Sequence, residues 1–196
     1  DADPDSDADR EALRKAVVEA DRLVDMFQAV LRLSRVETTS NWKLERVDVT
    51  AIMQELVEFY QPAAEEQGLT FDGQVSDHLE VRGDVGLVTQ AVSNLIENAM
   101  KYTPSGGRIE VRANKRNDGR IELLVADDGP GVPAGERERV LERFVRLETA
   151  RSTPGVGLGL SLVSAVARLH KGGLHLRDGI GGRGLGAALV IPAYDG

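Results

Sequence analysis

The stretch NLIENAMKYTP, residues 94–104, combines an apolar helix face with a regular polar one. Its apolar positions repeat at helical spacing, while Asn94, Asn98 and Lys101 recur at i, i+4 and i+7, so these three polar groups share one side. Asparagine is disfavoured inside helices, so two in register indicate a purpose other than helix formation. The stretch therefore predicts a helix over about 85–102 with one packed face and one polar face.

The composition predicts one domain of about 150 residues with a smaller appendage. The chain has 196 residues, 41% hydrophobic content and a net charge of −8, with scattered Lys and Arg that argue against nucleic acid or an anionic membrane as a partner. The absence of cysteine excludes disulfides and thiolate zinc sites, and three dispersed histidines, His78, His170 and His175, argue against a metal cluster.

No apolar run approaches the roughly 20 residues needed to cross a bilayer, and the chain opens with Asp1 and no signal-like segment. We expect a soluble, cytoplasmic piece of a longer protein, without direct membrane contact.

The first 38 residues form an acidic lead-in and a long helix. Residues 1–9 predict a solvated, poorly ordered segment in which Ser6 and Asp9 can cap the helix that follows. From about Glu11 to Val36 the apolar residues repeat at alternating intervals of four and three, a heptad seam that calls for a helical partner within or between chains. The alternative is a helix laid on the main domain. The seam consists of Leu13, Val17, Ala20, Val24, Phe27 and Leu31.

Residues 39–45 lose this periodicity and predict a linker, and residues 46–196 form the main domain. We predict a two-layer α+β sandwich, in which helices cover one face of a mixed, mostly antiparallel sheet. The first expected segments are a helix that starts at Asp48 or Thr50 and stops at Gly68, strands over 69–75 and 79–84, and the 85–102 helix. A hairpin around Asn117-Asp118-Gly119 follows, and then a lid-like stretch over about 132–154 with one short helix at ERERVLERFVR. The last expected segments are an amphipathic helix after a glycine-rich start and a closing hairpin that contains glycines at its turn.

The segment ADDGPGVP, residues 126–133, follows a predicted strand with a carboxylate and two glycines. An ionised carboxylate such as Asp127 only accepts hydrogen bonds, which suits an exocyclic amine such as that of adenine. Gly129 and Gly131 allow the backbone to approach a flat ligand closely. The alternative is an Asp-Gly-Pro-Gly turn without a ligand.

In PGVGLGLSLV, residues 154–163, Gly155, Gly157 and Gly159 precede a predicted helix. Free N–H groups and the dipole at a helix start can meet phosphate oxygens. The segment is not a dinucleotide fingerprint, because Leu160 occupies the position of the third Gly or Ala, and it lacks the Gly-Lys-Ser/Thr of a phosphate-binding loop.

The polar face of the 85–102 helix can complete such a site. Asn98 offers an amide oxygen to Mg²⁺, and Asn94 can contact a coordinated water or the phosphates. Lys101 can neutralise phosphate charge, and Tyr102 can pack beside the nucleotide. The alternative is a solvated helix face.

Together these segments resemble the ATP-binding catalytic domain of sensor histidine kinases, in the superfamily that includes gyrase, Hsp90 and MutL. The resemblance covers about residues 46–196, with four blocks in the family's order. NLIENAMKYTP resembles the N box, DDGPGVP the G1 box, ERFVRLE the F box and GVGLGLSLV the G2 box.

The resemblance implies a role for each matching residue. It implies that Asp127 reads adenine, that Asn98 binds Mg²⁺, and that Asn94, Lys101 and the lid residue Arg146 act on the phosphates as the catalytic set. The alternative for Arg146 is a surface position in the lid. The implied nucleotide-binding set is Asn94, Asn98, Lys101, Tyr102, Asp127, Gly129, Gly131, Gly155, Gly157, Leu158, Gly159 and Leu160.

EADRLVDMFQAVLRLSRVE resembles the second helix of the family's dimerisation and histidine-phosphotransfer hairpin, two of which form a four-helix bundle. The family's phospho-accepting histidine lies on the first helix, and no match to it occurs here. The resemblance therefore implies transfer of the γ-phosphoryl of Mg·ATP to a histidine absent from this chain, for relay to a response-regulator aspartate. It also implies a homodimeric parent kinase anchored in the inner membrane.

Two other functions stay open. One is a nucleotide-binding or assembly module without phosphotransfer, with the heptad seam as its working surface. The other is an ATPase related to gyrase and Hsp90, whose relatives usually carry a glutamate at the position of Asn94. Glu97 lies about 100° around the helix from that face.

Overall fold

The computed structural model describes residues 4–38, 42–147 and 156–194. Within these ranges the chain forms four α-helices and seven β-strands. In chain order they are α1 (Pro4–Thr38), β1 (Glu45–Asp48), α2 (Val49–Glu66), β2 (Thr70–Val75), β3 (Glu80–Gly83), α3 (Val85–Tyr102), β4 (Arg108–Lys115), β5 (Arg120–Asp127), α4 (Gly159–Leu169), β6 (Gly173–Asp178) and β7 (Leu185–Pro192).

Five strands form the main sheet in the order β2-β4-β5-β7-β6. β2 is parallel to β4, and the other neighbours are antiparallel. β1 and β3 form a separate antiparallel pair. Helices α2, α3 and α4 pack on one face of the main sheet, so the predicted α+β sandwich with a mixed, mostly antiparallel sheet is confirmed.

The core lies between these helices and the sheet because both carry apolar residues at the matching period. Alternate residues of β4, such as Ile109 and Val111, are fully buried, as are Ile96 of α3 and Val166 of α4. The opposite face of the sheet carries ion pairs, including Arg108 with Asp72 and Arg177 with Glu122. The polar side of α3, which carries Asn94 and Asn98, is only partly buried and lies outside this core.

The caps of α2 and α3 set where these helices start. Asp48 accepts from the Ala51 amide at 3.1 Å, and Asp84 accepts from the Leu87 amide at 2.9 Å. Thr50, the other predicted cap of α2, instead accepts from the amide of Leu79. The predicted bounds of α3 are confirmed.

The start of α1 differs from the prediction. The helix begins at Pro4 instead of about Glu11, so the prediction of an irregular lead-in is wrong from residue 4 onward, and Ser6 and Asp9 lie inside the helix. Proline suits a first helical position because its missing N–H has no partner there. Residues 1–3 and 39–41 lie outside the described residues, and the end of the predicted linker, Glu45, starts β1.

Two different faces of α1 have different environments. Leu33 and Val36 are buried in the core, with Ala29 packed against it, and α1 contacts α4. The predicted seam is exposed along its whole length, with Leu13 66% and Phe27 63% exposed. The helix is therefore laid on the domain by one face while its heptad seam stays open.

The predicted short helix at ERERVLERFVR is absent from the described part of the chain. Two 3₁₀ turns, Ala134–Glu136 and Arg139–Leu141, take its place. Phe144 has a φ of +63°, which a right-handed helix does not contain. Residues 148–154 of the predicted lid and Gly155 of the glycine-rich segment lie outside the described residues. In the described ranges we find no helix with both the length and the hydropathy needed to span a bilayer.

Candidate functional site

A cavity of about 380 Å³ lies among α3, the end of β5, parts of the segment 130–147, the start of α4 and the start of β7. Its size is that of a small-molecule site. Ala29 of α1 also lines it, so the long helix forms part of its wall.

Asp127 at the end of β5 lines this cavity and is only 6% exposed. Its Oδ1 accepts two backbone hydrogen bonds, from the Gly129 amide at 2.9 Å and the Leu185 amide at 3.2 Å. Burial raises the pKa of Asp127, and the two amides act in the opposite direction. Oδ2 accepts no hydrogen bond from the described residues and is not closed off from the cavity, so this acceptor is available to a ligand.

The two asparagines of α3 lie against the start of α4 at the edge of the cavity. Asn94 donates from Nδ2 to the Gln90 carbonyl at 2.8 Å, which leaves its Oδ1 as an acceptor. A Cβ on Gly159 would lie 3.3 Å from Asn98 Nδ2 and 3.5 Å from Asn94 Oδ1. Both amides therefore border the same space as the first turn of α4.

Lys101 and Tyr102 form the rim of this wall. The Lys101 ammonium lies 4.9 Å from the centroid of the Tyr102 ring, a cation–π distance. The aromatic ring thus holds a positive charge at the mouth of the cavity.

The first turn of α4 presents free backbone donors. Leu158 is its N-cap residue and makes no side-chain capping hydrogen bond. Leu158 itself is buried in the core and Leu160 is half-buried, so these two contribute to packing beside the cavity. An uncapped helix start of this kind attracts anions such as phosphate.

The glycines pack backbone against backbone. A Cβ on Gly129 would lie 2.9 Å from the Tyr102 carbonyl oxygen, and one on Gly131, which has a φ of +70°, would overlap the Gly184 carbonyl oxygen. Gly157 has a φ of +76°, and its carbonyl accepts from the Phe144 amide at 3.0 Å. These contacts, rather than close approach to a ligand, account for glycine at these positions.

The structure brings the separate sequence segments to one cavity. Gly129 lies behind Asp127 without lining the cavity, and Gly155 is outside the described residues. The predicted residues that line it are Asn94, Asn98, Lys101, Tyr102, Asp127, Gly131, Arg146, Gly157, Leu158, Gly159 and Leu160.

Sequence reasoning missed Leu185, Gly184 and Ala29. The amide of Leu185 holds Asp127 from 58 residues away, and Gly184 packs against the Asp127 backbone. The glycine-rich segment before β7 marked a turn, but no sequence signal connects it with Asp127. Ala29 is a small residue in a helix whose seam points elsewhere.

Glu97 lines the cavity but is engaged by a second helix. Tyr60 of α2 donates from its hydroxyl to Glu97 Oε1 at 2.8 Å. Burial raises the pKa of Tyr60 to about 12, so its proton stays available for this bond. Because one oxygen of Glu97 already accepts this hydrogen bond, Glu97 is poorly suited to act as a base that activates water.

Residues 83–193 match the family of histidine kinase-, DNA gyrase B- and HSP90-like ATPases. The chain belongs to this family of ATPases. Its relatives identify the branch: the chain is the ATP-binding catalytic domain of a sensor histidine kinase.

Two relatives and two solved structures support this assignment. The sensor-like histidine kinase SenX3 of Mycolicibacterium smegmatis is 37% identical over 193 residues, which cover 97% of this chain and 50% of SenX3. The histidine-protein kinase/phosphatase MprB of Mycobacterium leprae is 46% identical over 99 residues, covering 50% of this chain and 19% of MprB.

Full-length ShkA in complex with AMPPNP superposes with a TM-score of 0.79 at 28% identity, covering 95% of this chain and 39% of that one. A mycobacterial MprB structure superposes with a TM-score of 0.67 at 33% identity, covering 78% and 99%. Because the match covers 50% of SenX3, the chain spans about half the length of this relative.

Proposed function

We propose that this domain binds Mg·ATP in the cavity and transfers the γ-phosphoryl to a histidine on a separate helix, for relay to a response-regulator aspartate. The observation that carries the proposal is the buried Asp127, with Oδ1 held by two backbone amides and Oδ2 open to the cavity. This oxygen can accept a hydrogen bond from a neutral amine such as the exocyclic amine of adenine.

The remaining groups suit the phosphates. The uncapped start of α4 supplies N–H donors, and Asn94, Lys101 and Arg146 border the same cavity. In the transfer, the bond from Pγ to the β–γ bridging oxygen breaks as a bond from the histidine nitrogen to Pγ forms. The cationic groups of Lys101 and Arg146 stabilise the charge that develops, and the cavity walls orient the reactants.

The residues present fit a magnesium ion shared with phosphates. We find no cluster of three or more His, Asp or Glu side chains that could hold a metal in the described part of the chain. Asn98 and Asn94 offer amide oxygens beside the start of α4, which suits an ion that keeps waters and phosphate oxygens as its other ligands. When bound, Mg²⁺ neutralises phosphate charge.

The acceptor histidine comes from elsewhere in this proposal because the chain's own histidines are poorly placed. None of the three lines the cavity. His170 is buried with both ring nitrogens engaged, and His78 and His175 are exposed.

We propose that residues 1–38 form the second helix of a dimerisation hairpin, that 39–45 link it to the 46–196 catalytic domain, and that the exposed seam pairs with other helices in a homodimeric kinase. The open seam, including Val17, Val24 and Leu31, supports this. By analogy with its relatives, the longer kinase is anchored in the inner membrane.

Nucleotide binding tests the adenine assignment. Asp127→Ala is expected to weaken ATP binding at least about tenfold, because a charge-assisted hydrogen bond is lost. Asp128→Ala is the matched control: the Asp128 carboxylate accepts from the Arg108 amide and does not line the cavity. Calorimetric titration that gives Asp127→Ala an unchanged affinity would refute the assignment.

Phosphotransfer tests the reaction. We expect γ-labelled ATP with Mg²⁺ to leave this chain unlabelled and to place acid-labile label on an added hairpin bearing the acceptor histidine. If ATP binds but neither protein is labelled, the domain is a nucleotide-binding module. Steady hydrolysis without label would instead favour the ATPase function.

A further inference from the structure

A second groove, of about 500 Å³, lies at the far end of α4 from the nucleotide cavity. No described residue lines both sites, and the 11-residue helix separates them by about 16 Å. The groove forms where the segment before β1 crosses the last turn of α4 and the end of β7. The lining residues that matter chemically are Trp42, Arg82, His170, Lys171 and Tyr194.

Trp42, which lines the groove, carries a hydrogen-bond donor that no described residue accepts from. Trp42 Nε1 is buried and makes no hydrogen bond to any described residue. An indole nitrogen only donates, and a buried donor that loses water without gaining an acceptor is unfavourable. In the described part of the chain, therefore, no residue satisfies this polar group.

Two cationic side chains of the groove also lack acidic partners among the described residues. Lys171 makes no ion pair there, and Arg82 makes one long hydrogen bond from Nε to the Leu44 carbonyl, at 3.4 Å. The cross-strand neighbour of Arg82 is Arg46, which is paired with Glu80 at 2.8 Å. Among the described residues that line the groove there is no Asp or Glu, although the chain has a net charge of −8.

His170 lines the groove as a neutral side chain. Its Nδ1 lies 2.7 Å from the Val166 carbonyl, and its Nε2 accepts from the Asp84 amide at 3.2 Å, so both nitrogens are engaged. The positive charge of the groove thus comes from Arg82 and Lys171, which are both exposed.

We propose that this groove binds a small anion carried on an aromatic body, such as an aryl phosphate or aryl carboxylate. The guanidinium of Arg82 and the ammonium of Lys171 hold the anionic group. The rings of Trp42 and Tyr194 pack against the aromatic body. The site is independent of nucleotide binding.

The chain provides its own reporter for the test. Trp42 is the only tryptophan, so its fluorescence responds to occupation of the groove. We expect phenyl phosphate to change the emission with a saturable curve, and phenol, which lacks the charge, to bind at least about tenfold more weakly. Saturating ATP should leave the phenyl phosphate curve unchanged, because ATP occupies the other cavity.

Matched variants locate the binding site. Arg82→Gln and Lys171→Asn are each expected to weaken phenyl phosphate binding about fivefold, and Arg82→Lys to retain most of it. Asparagine suits position 171 because the backbone φ there is +55°. Lys115→Gln, which removes an exposed charge outside the groove, should bind as the unsubstituted protein does.

The proposal is overturned by any of four results: no saturable signal, equal binding of phenol, displacement by ATP, or unchanged affinity in both Arg82→Gln and Lys171→Asn. Thermal unfolding of each variant verifies that it is folded before its affinity is compared.

Discussion

The buried carboxylate of Asp127 lowers the stability of the ATP-free protein, although it suits ligand binding. Burial raises its pKa, so ionisation is less favourable in the folded chain than in the unfolded one. The ionised carboxylate therefore subtracts from stability at any pH above its ordinary value of about 3.8. We propose that the acceptor it offers to a ligand offsets this cost in the ATP-bound protein.

Asp127→Asn is expected to raise the free energy of unfolding of ATP-free protein at pH 7, while weakening ATP binding. The amide is neutral and its oxygen can still accept from the Gly129 and Leu185 amides. Urea denaturation at several pH values measures the effect, and the difference from the unsubstituted protein should shrink as the pH approaches 3.8. A variant less stable at pH 7 would contradict the argument.

Gly184 is the second critical position at this scale, because it has a φ of +69° and its Cβ position overlaps the Asp127 carbonyl oxygen. Gly184→Ala should lower the free energy of unfolding by at least about 3 kcal/mol and abolish ATP binding. Gly119 is the matched control: its φ is +79° but nothing lies within 4 Å of its Cβ position. Gly119→Ala should cost only about 1–2 kcal/mol, the cost of the left-handed backbone. Equal losses in denaturation experiments would show that the overlap is relieved.

At the scale of elements, α1 is attached to the domain by a short part of its length. Leu33 is 3% exposed and lies in the core, whereas Phe27 is 63% exposed on the seam. Leu33→Ala should therefore lower the free energy of unfolding by about 2–4 kcal/mol, and Phe27→Ala should change it by less than about 0.5 kcal/mol. Denaturation of dilute protein is the measurement. A large loss for Phe27→Ala that depends on protein concentration would show that the seam is already paired.

Elements were predictable where local signals coincide. The helix α3 was predicted with the correct bounds because its apolar stripe is regular and Pro104 follows its end; the structure adds a cap at Asp84. The segment around Val140 misled the prediction, since its helical composition is overridden by tertiary contacts and by the positive φ of Phe144. β1 was missed because four residues are too few to show a period.

At the scale of the molecule, His170 connects the end of α4 to the strand β3 and the cap of α3. Its Nε2 accepts from the Asp84 amide, and burial lowers its pKa. A neutral His170 contributes stability that is fully present above the ordinary histidine pKa of 6.5 and is lost as the pH falls towards the lower folded-state value.

The free energy of unfolding should therefore decrease below pH 6.5 with a component due to His170. His170→Gln should be less stable overall but lack this component, because glutamine does not titrate. His78→Gln and His175→Gln, at exposed positions, should retain it. Denaturation at a series of pH values distinguishes these outcomes, and an unchanged slope in His170→Gln would assign the effect to other groups.

The site as a whole was only partly predictable. The sequence shows which residues share the face of α3, and the resemblance orders the boxes along the chain. It does not show that Leu185 donates to Asp127, nor that Ala29 closes the cavity wall, because both contacts depend on the packing of distant segments. The second groove escaped notice for the same reason: Trp42 and Lys171 lie far apart in the chain.

The position of β7 has a consequence for protein synthesis. Asp127 receives its second amide only from Leu185, the first residue of the last strand, and β7 inserts between β5 and β6. A nascent chain that has emerged from the ribosome only as far as β6 holds most of the cavity-lining residues but lacks the strand that joins β5 to β6 in the sheet. Since domains generally fold as units during synthesis, we expect a kinase still being translated to be unable to bind ATP until this strand has emerged.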